Sequence, residues 1–292
     1  MQYASTAGYI DGVIVEANVA GTLAFYLVKG YAHPEQHLVV QPYRYPCCRR
    51  GPPAPIHYNV CLGVETAMIP REKVTRVISP EAAIETLPGR VKQRILELVE
   101  VLGLEWYGVT GSYALGCEGP SSDVDVMGLY RPGLLDALQD LARDGLIRQC
   151  KRQDVIAKRS RGPGGLALEV SRIETSLVDS CYRGQPYTLR LVTSLWEEPC
   201  HQILIPYGYA ELTGWMRPLG EPITVPTRYR MDTGSETVIV ETWRTRYQEI
   251  KEGRYRVRGL LRLDAVSGNL VVWPDIGGWI ARAESPLLPH SD

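Results

Sequence analysis

Two aspartates separated by one residue, shortly after a Gly-Ser turn, limit the fold of this chain more than any other feature. They lie in "VTGSYALGCEGPSSDVDVMGLY", residues 109–130. The flanking apolar runs, "EWYGVT" and "DVDVMGLY", read as short strands joined by a glycine-bearing turn and a polar loop. On a strand, residues i and i+2 project from one face, so Asp123 and Asp125 point together. Two bare carboxylates in one place repel, which raises one pKa. A cation that uses both removes the conflict. Oxygen-only donors suit Mg²⁺ or Mn²⁺, which keep waters and take phosphate oxygens from a substrate. Gly111 lets the backbone approach closely, and the Ser112 hydroxyl with the N–H groups opening "SYALG" can hold phosphate oxygens.

This constellation resembles the nucleotidyltransferase superfamily that includes DNA polymerase β, poly(A) polymerases and CCA-adding enzymes. The family pattern is Gly-Ser, a Gly four residues after the Ser, then Asp-x-Asp, often preceded by Ser. Gly111, Ser112, Gly116, Ser122, Asp123 and Asp125 match it position by position. The resemblance covers residues 88–175. It implies a third metal-binding carboxylate in a hydrophobic–acid–hydrophobic triplet on a later strand. Glu169 in "LEV" meets that pattern, with Asp154 in "QDV" and Glu174 in "IET" as alternatives; many relatives carry Asp there. The implied chemistry is two-metal catalysis, with Mg²⁺ or Mn²⁺ on Asp123, Asp125 and Glu169. An NTP would lie with its phosphates on Gly111 and Ser112, beside Gly116 and Ser122. An NMP would pass to a hydroxyl acceptor and pyrophosphate would leave. A rival reading is a non-catalytic nucleotide- or nucleic-acid-binding protein that retains the fold. Intact Ser112, Asp123 and Asp125 speak against it. A minimal, partner-dependent nucleotidyltransferase is a third, and the long flanks count against that.

The rest of the chain sets the frame. Its 292 residues can form two modest domains with a sizeable core. Residues 1–78 alternate Val, Leu, Ile and Tyr with polar residues and read as a β-rich N-terminal region. From Ser79, an expected N-cap followed by Pro80, helical spacing runs through Val91, Ile95, Leu98 and Val99; a second helix carries Leu134, Leu138 and Leu141. "QDVIAKRSRGPGGLALEVSRIE" reads as two strands around a glycine-rich turn. β signals return over 185–292, with a hairpin turning at Ser267-Gly268-Asn269. The expected class is α+β: a nucleotidyltransferase core over 79–184, a mixed β-sheet with helices on one side, flanked by β-rich regions that stand apart or pack as one accessory domain. The flanks are loosely similar to β-rich extensions of some uncharacterised archaeal nucleotidyltransferase-domain proteins.

Net charge is −1, so any nucleic-acid contact has to come from a local patch. Two stretches qualify. Residues 148–161 hold six basic residues against one acidic, and 241–262 hold seven against three, with Trp243, Tyr247 and Tyr255 interleaved. Arg254, Arg256 and Arg258 alternate along a strand and share a face, which suits an RNA acceptor; the plainer reading is a solvated face. The seven cysteines form no CxxC pair, which points to buried thiols rather than zinc, with a disulfide only in a hyperthermophile. His33 and His37 flank Pro34 and read as a turn. Neither a signal peptide nor an apolar run long enough for a membrane span is present, so the expected compartment is the cytoplasm.

Overall fold

The computed structural model describes residues 8–120, 122–149, 176–198, 200 and 203–283. These form two compact units: residues up to 148 with 177–200, and residues 149, 176 and 203–283. Among the described residues no helix is long and apolar enough to cross a membrane.

The first unit opens with a six-stranded antiparallel sheet. Its strands are β1 (Ile14–Val19), β2 (Thr22–Val28), β3 (His37–Arg44), β4 (Ile56–Asn59), β5 (Val64–Pro70) and β6 (Val74–Ile78), in the order β4-β5-β3-β2-β1-β6. Ala20 and Gly21, both at positive φ, make the two-residue turn between β1 and β2. That geometry matches the right-handed twist of the flanking strands. His33 is buried and donates or accepts at both ring nitrogens, Nε2 with the Tyr9 carbonyl (2.8 Å) and Nδ1 with the Val39 amide (3.2 Å). Burial lowers its pKa. The turn expected around His33 is therefore pinned by the histidine itself.

A second sheet follows in the same unit: β7 (Tyr107–Thr110), β8 (Val124–Leu129), β9 (Ile147–Arg148), β10 (Asp179–Tyr182) and β11 (Gln185–Val192), in the order β7-β8-β11-β10-β9. The β8–β11 pair is parallel and the other neighbours are antiparallel. Four helices accompany it: α1 (Pro80–Ala83), α2 (Gly89–Val101), α3 (Gly111–Ala114) and α4 (Leu134–Arg143). Ser79 caps α1 as expected, its Oγ accepting from the Ala82 amide. Ile95, Leu98 and Val99 of α2 and Leu134, Leu138 and Leu141 of α4 are buried, in keeping with the helical spacing.

The second unit contains β12 (Leu204–Pro218), β13 (Thr224–Val225), β14 (Thr227–Asp232), β15 (Thr237–Thr242), β16 (Gly253–Asp264), β17 (Leu270–Trp273) and β18 (Trp279–Arg282). Strand pairing runs β12-β14-β15-β17-β16, and β16 pairs back onto β12. The five strands thus close a barrel, in which only β15 and β17 run parallel. Closure gives each of those five strands a partner on both sides, although β12 meets β14 only over Trp215–Pro218. The interior is filled by Met216, Tyr229, Met231, Val238, Val240, Tyr255, Val257 and Val272. The β16–β17 hairpin turns through Ser267, Gly268 and Asn269, as its sequence indicated, with Gly268 at positive φ.

These sheets correct the expected fold class. The chain is β-rich, 46% strand against 16% helix, with a β-barrel and antiparallel sheets rather than an α+β nucleotidyltransferase core with helices on one side. The physical reason is that helical periodicity is confined to two segments, α2 with 13 residues and α4 with 10. The α1 and α3 segments are four-residue turns. Most of the other buried apolar residues among those described lie on strands. The cysteines also depart from the buried-thiol reading. Cys48 pairs with Cys117 and Cys61 with Cys200, while Cys47 is free and exposed.

Within the first unit the two sheets are joined by a buried ion cluster. Asp11 is fully buried; its carboxylate pairs with Arg190 of β11, lies 3.6 Å from Lys29, and accepts a hydrogen bond from the Gly30 amide. Removing one partner of such a pair leaves a buried charge uncompensated. Arg190→Met should lower unfolding free energy in urea by about 3–5 kcal/mol. A loss below ~1 kcal/mol would mean that the two sheets do not depend on this pair.

Candidate active site

The Gly-Ser turn and the aspartate pair converge where β7 meets β8. β7 ends at Thr110, which faces Asp125 across the antiparallel ladder. Gly111 then adopts φ +71°, a left-handed conformation that opens α3. A Cβ on Gly111 would overlap Asp125 Oδ2 and lie 2.8 Å from its Cγ. Glycine is thus required twice, once by the dihedral and once by the carboxylate resting on its Cα. Ser112 is 9% exposed, and its hydroxyl makes no hydrogen bond among the described residues. The hydroxyl reaches solvent and can donate to a ligand oxygen.

A line of polar residues crosses the sheet from this point. Thr110, Asp125, Thr188 and Asp179 are successive register partners on β7, β8, β11 and β10. Thr188 donates from Oγ1 to Asp123 Oδ2 at 2.5 Å, and its Oγ1 is 3.5 Å from Asp179 Oδ1. Thr188 therefore orients Asp123 while standing between it and Asp179. Thr110 donates to the Gly12 carbonyl, so the N-terminal segment is fastened to the edge of the same row.

The N-terminal sheet also supplies a wall. Burial, and next the charge of Asp125, push the Tyr43 hydroxyl up to about 12, with Arg44 acting in the opposite sense. Tyr113 is shifted upward by burial, then by Glu118 and Asp123. Both phenols thus remain neutral donors beside the carboxylates at neutral pH. The Arg44 guanidinium sits 5.4 Å from the Tyr43 ring centre and donates to the Cys48 carbonyl at 3.2 Å. The Cys48–Cys117 disulfide ties this wall to the loop leaving α3.

Six sequence-selected residues can be placed. Gly111, Ser112, Asp123 and Asp125 come together. Gly116, at φ +63°, lies with Cys117 in the disulfide-held loop. Ser122 serves that loop, its Oγ accepting from the Gly119 amide at 2.9 Å. Glu169, Asp154 and Glu174 lie outside the described residues, as do the proposed strands around them and most of the basic stretch 148–161. Thr188, Asp179 and Tyr43 were missed. "LVDSC" carries an acid at a strand start before the tight Arg183-Gly184 turn, a signal that could have drawn attention to Asp179. Nothing local marks Tyr43.

Among the described residues no three His, Cys, Asp or Glu side chains form a ready metal-ligand set. Asp123 and Asp125 supply hard oxygen donors that fit a divalent cation whose other positions go to water and phosphate. The Gly111–Asp125 contact has a direct test. Gly111→Ala and Asp125→Ala should couple by about 0.5–3 kcal/mol in a double-mutant stability cycle, because the new methyl collides with the carboxylate only when Asp125 is present. Additive effects would show that the carboxylate does not rest on the glycine. No family model, curated protein or solved structure matches the chain.

Proposed function

We propose that the chain is a nucleotidyltransferase, moving an NMP from an NTP to a hydroxyl acceptor with Mg²⁺ or Mn²⁺. The observation that carries this reading is the seating of Asp125 against Gly111, which brings a carboxylate pair up to the Gly-Ser turn. One end of the site favours a cation and the other favours phosphate oxygens, the two halves of a metal–triphosphate complex.

Asp123 and Asp125 would hold the metal, which supplies Lewis-acid activation of the acceptor hydroxyl and neutralises charge on the leaving pyrophosphate. In the reaction the acceptor hydroxyl gives its proton to solvent and its oxygen forms a bond to the α-phosphorus while the bond to the pyrophosphate oxygen breaks. Ser112 Oγ–H donates to a phosphate oxygen and fixes the triphosphate. Thr188 keeps Asp123 Oδ2 turned into the site, and Asp179 acts through Thr188 as a positioning residue. Tyr43 and Tyr113, whose hydroxyls feel the charge of the pair, stay neutral phenols near it.

The test is incubation of the protein with each labelled NTP, Mg²⁺ and total cellular RNA. Label transfer is expected for wild type and absent for Asp123→Asn and Asp125→Asn, whose thermal stability should match wild type because a like-charge repulsion has been removed. Either variant retaining full transfer would contradict the metal role. Ser112→Ala should weaken NTP binding by about 1–3 kcal/mol in calorimetry. An unchanged affinity would remove the serine from the phosphate site.

A further inference from the structure

The barrel carries an arginine–tryptophan face that the transfer chemistry does not use. On its outer surface β12 lies between β16 and β14. Trp215 is opposite Arg254 on one side and Asp232 on the other; two residues along, Arg217 is directly opposite Arg230. Thr213 and Glu211 continue the row opposite Arg256 and Arg258. Arg217, Arg230 and Arg254 are exposed, whereas Arg256 and Arg258 are half-buried. The side chains of Arg217, Arg230, Arg254 and Arg258 form no hydrogen bond or ion pair among the described residues. Like charges directly opposite on a sheet destabilise it, so the Arg217–Arg230 pair is a cost that an anion laid across it would relieve.

Trp215 is the second element of the face. It is 54% exposed, and its Nε1–H donates to Glu252 Oε1 at 2.7 Å. An indole with this much exposed surface has a ring face available for a base to stack on. Guanidiniums flank it, Arg254 across the ladder and the Arg217–Arg230 pair one step along the strand, a spacing of about 7 Å between same-face residues. Flat rings alternating with phosphate-binding forks are what an unpaired strand requires: bases stack, and the backbone follows the charges. A duplex keeps its bases stacked inside and offers nothing to the indole.

We propose that this β16–β12–β14 face binds single-stranded nucleic acid, with a base on Trp215 and backbone phosphates on Arg217, Arg230 and Arg254. The site depends on neither Asp123 nor Asp125, so it stands apart from the transfer reading while naming the kind of acceptor that reading would take.

The experiment is fluorescence anisotropy of the full chain with a labelled 12-nucleotide oligo-U RNA, the matching oligo-dT, and a blunt RNA duplex, each over a salt series. Both single strands should bind better than the duplex, with log affinity falling against log salt at a slope of about −2 to −3 for three to four phosphates. Arg217→Gln/Arg230→Gln/Arg254→Gln should flatten that slope by about 2. Trp215→Ala should reduce affinity about 10- to 100-fold and leave the slope unchanged, while Trp215→Phe retains most of the binding. Asp125→Asn is the control that separates the two sites: its oligonucleotide affinity should equal wild type whatever its transfer activity. Absence of binding, equal binding of the duplex, or an unchanged slope in the triple variant would each overturn the proposal.

Discussion

The contact between the Asp125 carboxylate and the Cα of Gly111 is the constraint on which the rest of the site depends. A side chain at residue 111 would push the carboxylate away, and a different dihedral there would carry Ser112 out of reach. Everything else is arranged around that contact. The β7–β8 ladder fixes the two segments against each other. Thr188 turns Asp123 toward the same space, and the Cys48–Cys117 disulfide holds the loop between the turn and the aspartates. The N-terminal sheet contributes Tyr43 as a wall, and the Asp11–Arg190 pair anchors that sheet to β11 two residues from Thr188. Structural and chemical roles therefore meet on a single strand.

On the proposed reading a cation and a phosphate would need opposite surroundings, and the aspartate pair and the Gly-Ser turn would provide them a short distance apart along the chain. Two neighbouring carboxylates repel each other, and the Ser112 hydroxyl can donate to an anionic oxygen. A metal–triphosphate complex answers both at once. That economy is the physical case for nucleotidyl transfer, and it rests on side-chain placement, since the β-rich fold lends it no support.

Much of this site was legible because its signals are local. Gly-Ser and Asp-x-Asp lie within sixteen residues of one another, and the period of a strand is enough to put both aspartates on one face. The Ser79 cap, the apolar faces of α2 and α4, and the turn at Ser267-Gly268-Asn269 were readable for the same reason. The fold class was not. Strand pairing is set by partners far apart in sequence, such as β16 with β12, and no short window reports it. The return of β16 onto β12, which closes the barrel, left no mark that distinguishes it from an open sheet. Asp179 and Thr188 were hidden likewise, since each gains meaning only from its neighbour on another strand. The Cys48–Cys117 and Cys61–Cys200 disulfides pair residues 69 and 139 apart in sequence, beyond any spacing rule. The arginine face was half legible: alternation placed Arg254, Arg256 and Arg258 together, but Trp215, Arg217 and Arg230 join them only through the barrel register.

The central claim is that the aspartate pair and the Gly-Ser turn form one metal–triphosphate site. Anomalous scattering from crystals grown with Mn²⁺ and a non-hydrolysable NTP tests it most directly. The account predicts a manganese peak shared by Asp123 and Asp125, with triphosphate oxygens on the metal and within hydrogen-bonding distance of Ser112 Oγ. A nucleotide bound elsewhere, or a peak that leaves either aspartate unligated, would contradict it.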